Sequence, residues 1–443
     1  MKTPQMTEKS SLLKASPDCA SPRVEALSTT AQHRQARHSW GWAILVAICF
    51  GVLIHGVAHH HGGHKLSQDP DTAAKQVLKS TPVIDGHIDL PIFVRAAYAN
   101  NASAFDLRKK MPQHVDIPRL REGGVGGFFW SAFVPCADWA GQDEGPDFLT
   151  STWRVRDTLE QVDIARILIA QYPETFHLAT KTTDIHKSWK KNKIASFIGI
   201  EGAHQLGNSI AVLRQLYNLG ARYVTLTHTC HNAFADSCGT LPEKWGGLSP
   251  LGYHLIDEMN RIGMLIDLSH TSDNTARQAI KYSKAPVIWS HSSARAVHTH
   301  ERNVPDDILE LIGTEEGQDA VVMVNFAPDF VADPGEADVY VVADHVEHIA
   351  AVAGKKHVGL GSDFDGIGAV PAGLEDVSKY PALIAELLRR GWSKNELEGL
   401  TGTNLIRIFE GAEKVAGKLQ AVGVPPSYEL YNKRTDLPRK QDL

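Results

Sequence analysis

Eight short apolar segments alternate with longer stretches of helical periodicity, and this pattern most constrains the fold of the chain. The segments are β-rich and almost continuously apolar, as expected for parallel strands that are buried on both faces. They begin near residues 81, 123, 194, 221, 263, 285, 319 and 357. Eight strands that alternate with helices predict a (β/α)8 TIM barrel, although a doubly wound open sheet has similar local patterning.

The segments between the strands carry helix signals. Within SIAVLRQLYNLG, one face collects Ile210, Leu213, Leu216 and Tyr217 before Gly220 ends the pattern. Further helices are predicted for SPLGYHLIDEMNRIG, TSDNTARQAIKYSK, ADVYVVADHVEHIAAVAGKK and PALIAELLRR. The long stretch at residues 148–193 is expected to hold more than one helix.

Ionisable residues fall at the carboxyl ends of six of the predicted strands. They are His87, Asp89, Glu201, His228, His270, His291 and Asp363. One such histidine alone is usually a hydrogen-bonded core residue, and one such glutamate is usually a solvated loop residue. In a barrel, however, all these strand ends meet at one mouth, whereas an open sheet would spread them along a line. The pattern therefore favours a barrel with a functional site at its carboxyl end.

Imidazoles and carboxylates without a thiolate suit zinc or another divalent first-row ion. Four histidines and three carboxylates could serve two ions better than one, and a two-metal site that activates water predicts hydrolysis. A mononuclear deaminase or amidohydrolase-like barrel is the alternative from chemistry alone. A third hypothesis is a non-catalytic, membrane-tethered binding protein on a degenerate barrel, but that hypothesis would expect some of the ligands to be replaced.

Several distinctive motifs occur in order across about residues 75–415: DGHIDLP, HVDIPRLREGGVGGFFWS, GIEGAH, RYVTLTHTC, GMLIDLSH, SHSSAR, RNVPDD, VMVNF, GSDFDG and LEDVSKYPALIAELLRRGW. These motifs resemble those of the membrane dipeptidase (renal dipeptidase) family of zinc metallopeptidases. The resemblance implies a (β/α)8 barrel with a binuclear zinc site. It also implies hydrolysis of dipeptides by a hydroxide that bridges two zinc ions. Cleavage of Cys-Gly conjugates or β-lactams, or secondary-metabolite processing, is the related alternative.

The resemblance also assigns metal ligands, residue by residue. His87 and Asp89 of DGHID would bind one zinc ion, and His270 of DLSH and His291 of SHSS would bind the other. Glu201 of GIEG would bridge the two ions.

The resemblance assigns three further residues to the substrate. His228 of TLTHTC would contact the substrate and stabilise the tetrahedral oxyanion. Arg302 of RNVPDD would hold the substrate carboxylate, and Asp363 of GSDFDG would bind the free amine and assist proton transfer. Glu201, His228 and Asp363 are thus the predicted catalytic set.

Cysteine usage partly matches the family. Cys136 of FVPC and Cys230 of THTC match a family disulfide, which would leave Cys238 free. The mammalian enzyme's second intrachain disulfide has no match, because His298 stands at one of its positions. Its intersubunit cysteine is also absent, so a non-covalent homodimer is expected. The loop at residues 234–248 is expected from the resemblance to face the substrate, and it is shorter than expected for the family, which leaves the side-chain preference open.

The N-terminal region differs from the body of the chain. Residues 1–39 are polar and predict a disordered cytoplasmic tail. Residues 40–58, WGWAILVAICFGVLIHGVA, approach the length that a bilayer requires. Six basic residues against three acidic ones upstream predict an uncleaved signal anchor, with the catalytic body lumenal or extracellular. A cleaved signal peptide and a buried core helix are the alternatives.

These features predict a single-pass membrane protein. Its parts are the tail 1–39, the anchor 40–58, a linker 59–74, the metallo-dipeptidase barrel 75–420 and a C-terminal tail 421–443. Asn101-Ala-Ser is a glycosylation acceptor sequence, which is usable only if the body is exported. A formal charge of −6 without a basic face argues against a nucleic-acid partner.

Overall fold

The computed structural model describes residues 66–136, 153–313 and 318–434. The predicted tail, the predicted anchor and residues 59–65 of the predicted linker lie outside the described residues. Within those three ranges, no helix combines the length and the apolar character that a membrane crossing requires.

The described residues form nine parallel strands in one sheet, and eight of these strands close into a barrel. The strands are β1 (Val83–Ile88), β2 (Val125–Ala132), β3 (Phe176–Leu178), β4 (Ile194–Ile200), β5 (Ala221–Thr225), β6 (Leu265–Asp267), β7 (Val287–Trp289), β8 (Ala320–Val324) and β9 (Val358–Leu360). The hydrogen-bonded order around the barrel is β1, β2, β4, β5, β6, β7, β8 and β9, and β9 pairs with β1. This closure confirms the predicted (β/α)8 barrel and rules out the open sheet.

The short strand β3 lies outside the closed ring and was missed from the sequence. It pairs with residues 194–196 of β4, whereas β5 pairs with residues 198–200 of the same strand. Because β2 occupies the other edge of β4, β3 and β5 share one edge. Three residues without an apolar run are too few to give a strand signal.

Helices follow and cover the strands. They are α1 (Pro70–Ser80), α2 (Leu90–Tyr98), α3 (Ile117–Glu122), α4 (Arg154–Gln171), α5 (Thr182–Lys190), α6 (Ile210–Leu219), α7 (Pro250–Ile262), α8 (Asp273–Tyr282), α9 (Asp306–Leu309), α10 (Pro328–Val331), α11 (Val339–Val352), α12 (Tyr380–Arg389), α13 (Lys394–Glu398) and α14 (Asn404–Ala421). The five helices predicted from the sequence are α6, α7, α8, α11 and α12. Of the stretch 148–193, residues 153–193 are described, and they contain two helices, α4 and α5. Local signals explain their ends: the Ser249 hydroxyl accepts the Gly252 N–H at 3.0 Å before α7, and Gly263 ends that helix at φ 81°.

The barrel interior is filled by a small apolar cluster that includes Phe129, Phe197 and Tyr223. The Tyr223 hydroxyl lies 2.8 Å from Nδ1 of His87. Since β5 and β1 are not neighbours in the sheet, this contact crosses the interior. Gly199 makes room for it, because a Cβ there would lie 2.1 Å from the Tyr223 ring. Tyr223 therefore holds the His87 ring through a hydrogen bond from the interior of the barrel.

We expect Gly199→Ala to destabilise the barrel, because the new methyl group would overlap the buried Tyr223 ring. Overpacking of this kind costs about 1–3 kcal/mol of unfolding free energy. Urea unfolding followed by circular dichroism measures it. Gly417→Ala is the matched control, because Gly417 is exposed on α14 with nothing within 4 Å of an added Cβ. That control should gain about 0.5–1 kcal/mol, and equal stability of the two variants would contradict the packing argument.

Candidate metal centre

Four imidazoles surround one carboxylate oxygen at the mouth of the barrel. Oε1 of Glu201 lies 3.0 Å from Nε2 of His270 and 3.3 Å from Nε2 of His291. The Nε2 atoms of His87 and His228 each lie 3.6 Å from the same oxygen. These residues come from the ends of β1, β4, β5, β6 and β7, so the predicted convergence is confirmed as geometry.

Two aspartates complete the cluster on the side of β1 and β9. Nε2 of His87 lies 3.1 Å from Oδ2 of Asp89 and 3.9 Å from Oδ1 of Asp363. The Asn325 side-chain amide donates to the other oxygen of Asp363 at 3.0 Å. Gly366 packs against both carboxylates, because a Cβ there would lie 2.2 Å from Asp89 Oδ2 and 2.8 Å from Asp363 Oδ1.

The backbone is strained where two of these side chains are presented. His270 has φ 63° and Asp363 has φ 67°, in the left-handed region that non-glycine residues rarely adopt. Such conformations cost roughly 1–3 kcal/mol each and persist where surrounding contacts impose them. The strain falls at the ends of β6 and β9, where the chain turns to aim the two side chains at the centre.

A buried hydrogen-bond chain orients His291. The Ser290 hydroxyl donates to Oδ2 of Asp267 at 2.6 Å, so its oxygen accepts from Nδ1–H of His291 at 2.8 Å. Thr225 also donates to Oδ2 of Asp267, at 2.6 Å. This arrangement leaves the lone pair of His291 on Nε2, which faces Glu201. The sequence prediction missed Asp267 and Ser290, although polar residues within an apolar strand were a usable signal.

Asp85 supports His87 through the backbone. Its Oδ1 accepts the His87 N–H at 2.8 Å and the Ser362 N–H at 3.1 Å, and its Oδ2 accepts the Tyr380 hydroxyl. Complete burial raises the pKa of Asp85, and these donors partly offset that shift. The carboxylate thus joins β1 to the segment that follows β9, next to the site.

The electrostatics favour a cation at the centre. Burial raises the pKa of Glu201 to about 6 and that of Asp363 to about 8, and Asp89 adds to both shifts. Burial also lowers the pKa values of His228, His270 and His291 well below the ordinary range, so these imidazoles are neutral. Neutral imidazoles beside crowded carboxylates form a donor set that a divalent metal ion stabilises.

Unpartnered atoms lead to the same conclusion. In the described part of the chain, Oδ1 of Asp89 and Nδ1 of His270 are buried without a hydrogen-bond partner. Three overlapping groups place one ligand atom per residue within 4.8 Å of one another. They are His87, Asp89 and Glu201; Glu201, His228 and His270; and His87, His291 and Asp363. The residues present therefore fit a metal cofactor.

A cavity of about 1500 Å³ opens above the centre. Its floor includes Asp89, Glu201, His228, His270 and Asp363. Its walls include the aromatic residues Phe93, Phe133, Trp153 and Phe330. From the loop at residues 234–248, which was expected to face the substrate, only Gly239 lines this cavity. The walls thus come mainly from α2, α10 and the segments that follow β2 and β9.

Arg302 lies behind His291 and does not line the large cavity. Its guanidinium donates to the His291 carbonyl at 3.1 Å and to the Ser292 hydroxyl at 3.3 Å. It borders a smaller adjoining cavity that His270 also lines. The side chain is therefore close to the centre, beside one of its imidazoles.

The remaining predicted positions are also located. Cys136 and Cys230 form the expected disulfide, with Cα atoms 6.2 Å apart, and Cys238 is a free cysteine. His298 has Nδ1 3.9 Å from Oδ1 of Asp333. Asn101 is exposed, and its glycosylation stays a prediction.

Known proteins share this chain's sequence pattern. The sequence model of the family described as membrane dipeptidase (peptidase family M19) matches residues 72–423. The chain belongs to the membrane dipeptidase family. Dipeptidase verJ from Clonostachys rogersoniana is 41% identical over 376 residues, which cover 84% of this chain and 94% of that protein. The membrane dipeptidase family consists of metallopeptidases, so the protein is a metal-dependent hydrolase.

Solved structures support the fold. A metallo peptidase from Rhodobacter sphaeroides, liganded with a phosphinate mimic of the dipeptide L-Ala-D-Ala, is 26% identical with a TM-score of 0.66. The match covers 75% of this chain and 99% of that one. The probable dipeptidase PvdM from Pseudomonas aeruginosa has a TM-score of 0.69 at 22% identity, over 78% and 99% of the two chains.

We expect Gly366→Ala to disrupt the centre while the barrel stays folded. The new Cβ would displace Asp89 and Asp363, so bound metal should fall and metal affinity should weaken by about tenfold or more. Gly368→Ala is the matched control, because nothing lies within 4 Å of a Cβ at that nearby position. Inductively coupled plasma mass spectrometry measures the metal bound per chain in the two variants, and circular dichroism checks that both are folded. Wild-type metal content in Gly366→Ala would contradict the assigned contact.

Proposed function

We propose that the protein hydrolyses dipeptides with two zinc ions held by His87, Asp89, Glu201, His270 and His291. The observation that carries the proposal is the position of Glu201, whose Oε1 faces four imidazole nitrogens at 3.0–3.6 Å. A carboxylate in that position could be a ligand of two metal ions, one on each side of it. Zinc bound there would supply a hydroxide from a bridging water and polarise the scissile carbonyl.

His228 is proposed to stabilise the oxyanion that forms on the carbonyl oxygen. Its ring packs between Phe133 and His270, with centroid distances of 4.5 Å and 4.2 Å. Its side chain is 16% exposed and lines the cavity floor. A neutral imidazole in this place can donate an N–H to the oxygen as negative charge develops, without reorganising first.

Asp363 is proposed to bind the substrate amine. Asn325 holds its Oδ2, while Oδ1 points towards His87, and the residue lines the cavity. A carboxylate there would accept hydrogen bonds from an ammonium group. It could also transfer a proton to the nitrogen that leaves when the peptide bond breaks.

Arg302 is proposed to bind the substrate carboxylate. It is a buried cation that is 8% exposed, and it contacts the backbone of His291. Together, an acceptor for the amine and a cation for the carboxylate would select substrates with a single peptide bond between their ends. The Rhodobacter sphaeroides relative, which binds a phosphinate dipeptide mimic, supports a dipeptide as substrate. A phosphinate is tetrahedral, as is the intermediate of peptide hydrolysis.

A second candidate is hydrolysis of dipeptides that carry a bulky group, such as Cys-Gly conjugates. The cavity of about 1500 Å³ is larger than the usual range for small-ligand sites, about 300–1,000 Å³. Phe93, Phe133 and Phe330 give it apolar walls. Such walls would accept a large apolar substituent while the peptide ends stay at the centre.

We also retain the proposals that the barrel is tethered to a membrane by residues 40–58, that it faces the lumen or the exterior, and that it forms a non-covalent dimer. These follow from the N-terminal sequence and the family. They leave the chemistry at the centre unchanged.

We expect chelation to abolish hydrolysis of Leu-Gly and added zinc to restore it. Glu201→Gln should lose bound zinc and activity together, because an amide has one neutral acceptor oxygen and cannot serve two cations. The exposed Glu174→Gln is the control and should keep both. Purified residues 65–443 suffice for the assay. Full turnover by Glu201→Gln would overturn the assignment.

The role of Arg302 is tested by removing the substrate carboxylate and the cation separately. Wild-type protein should prefer Leu-Gly over Leu-Gly amide by about 10–100-fold in kcat/KM, because a charge-assisted hydrogen bond contributes about 1.5–3 kcal/mol. Arg302→Met should lose that preference, with little change for the amide. An equal loss for both substrates would mean that Arg302 acts only by holding the His291 backbone.

A further inference from the structure

A second cluster of metal-ligand atoms lies beside the centre and shares no residue with it. One ring nitrogen of His204 and the sulfur atoms of Cys136 and Cys230 lie within 4.8 Å of one another. His204 is buried on the short helical turn Ala203–Leu206 that follows β4. In this state the two sulfurs are joined as a disulfide.

The hydrogen bonding of His204 fixes its tautomer. Nε2 lies 2.7 Å from the Val134 carbonyl oxygen, which can only accept, so Nε2 carries the proton and Nδ1 carries the lone pair. Burial lowers the pKa of His204 to about 3, so the ring is neutral. Among the described residues, Nδ1 has no hydrogen-bond partner, which is unfavourable for a buried polar group. The disulfide sulfurs have no proton to donate to it.

We propose that reduction of the Cys136–Cys230 disulfide converts this cluster into a separate Cys2His zinc site, with Nδ1 of His204 as the nitrogen ligand. Two thiolates and one imidazole are a donor set that zinc prefers. Two thiolates at about 2.3 Å from one tetrahedral ion lie roughly 3.8 Å apart. The Cα atoms are 6.2 Å apart, so rotation of the side chains is enough to reach that separation.

The surroundings match those of a metal-binding histidine. Histidine ligands usually donate their other ring N–H to a carbonyl or carboxylate, as His204 does to Val134. Gly202 leaves room beside the ligand nitrogen, because a Cβ there would lie 2.4 Å from Nδ1. Cys136 lines the large cavity, so an ion can enter from that side and a water can take the fourth position.

The redox and proton balance of the conversion is simple. A phosphine reductant breaks the Sγ–Sγ bond and takes the oxygen of one water molecule, and the two water protons complete two thiols. Zinc binding then releases both thiol protons to solvent. Cys136 and Cys230 would thus join the segment after β2 to the loop after β5 by a covalent bond under oxidising conditions, and by a shared metal ion that His204 also binds under reducing ones.

Cobalt(II) distinguishes this site from the main centre, because only this site contains thiolates. The full-length protein, loaded with zinc at the centre, is titrated with cobalt(II) before and after treatment with a phosphine. We expect a near-ultraviolet thiolate-to-cobalt charge-transfer band after reduction only. Native mass spectrometry should show one additional metal ion per chain.

Three variants make the result specific. Cys238→Ser removes the free thiol found among the described residues and should keep the band. Cys136→Ser combined with Cys230→Ser should lose it, and His204→Leu should weaken cobalt affinity by about tenfold or more. If a reduced protein with unchanged circular dichroism gives no band and no additional metal, the proposal is wrong. Neither readout depends on dipeptide hydrolysis, so this test stands apart from that of the proposed function.

Discussion

The site depends on the burial of negative charge at the mouth of a closed barrel. Glu201, Asp89 and Asp363 are brought together where little water reaches them, and burial raises the pKa values of Glu201 and Asp363. Such crowding is costly unless a cation or a hydrogen bond offsets it. The imidazoles of His228, His270 and His291 are neutral and cannot supply that charge. Burial opposes a charge on His87 as well, but Tyr223, Asp89 and Glu201 raise its pKa, so His87 can supply at most one positive charge against three carboxylates. The arrangement therefore makes physical sense as a metal-binding centre. The strained backbone at His270 and Asp363 is a further cost that the same requirement explains.

Much of this architecture could be predicted from the sequence. Strands buried on both faces are apolar throughout, so their positions were evident, and ionisable residues at the carboxyl ends of six of the eight predicted strands indicated where the site lies. Because barrel closure brings all carboxyl ends to one mouth, predicting the fold was sufficient to predict that His87, Glu201, His270 and His291 meet. Family motifs then added roles that no spacing argument could supply.

The parts that could not be predicted depend on register and on side-chain direction. Asp267 ends β6 and Ser290 directly follows β7, and only the pairing of these two strands shows that the residues form one chain of hydrogen bonds to His291. Arg302 lies in a loop, so its place behind His291 had no periodic signal. The contact between Tyr223 and His87 needs both the barrel closure and the absence of a side chain at Gly199.

The contacts of Asp85 determine how late in folding the metal-binding centre is completed. The Asp85 carboxylate holds the backbone of His87, yet it bonds to Ser362, which lies 277 positions later, and to Tyr380, which lies 295 positions later. Contacts of such long sequence separation form late, because the loop they close carries a large entropic cost. During synthesis, β1 must therefore wait for almost the entire barrel before its ligands are fixed. A nascent chain that stops short of β9 would have most of the ligand residues but no completed centre.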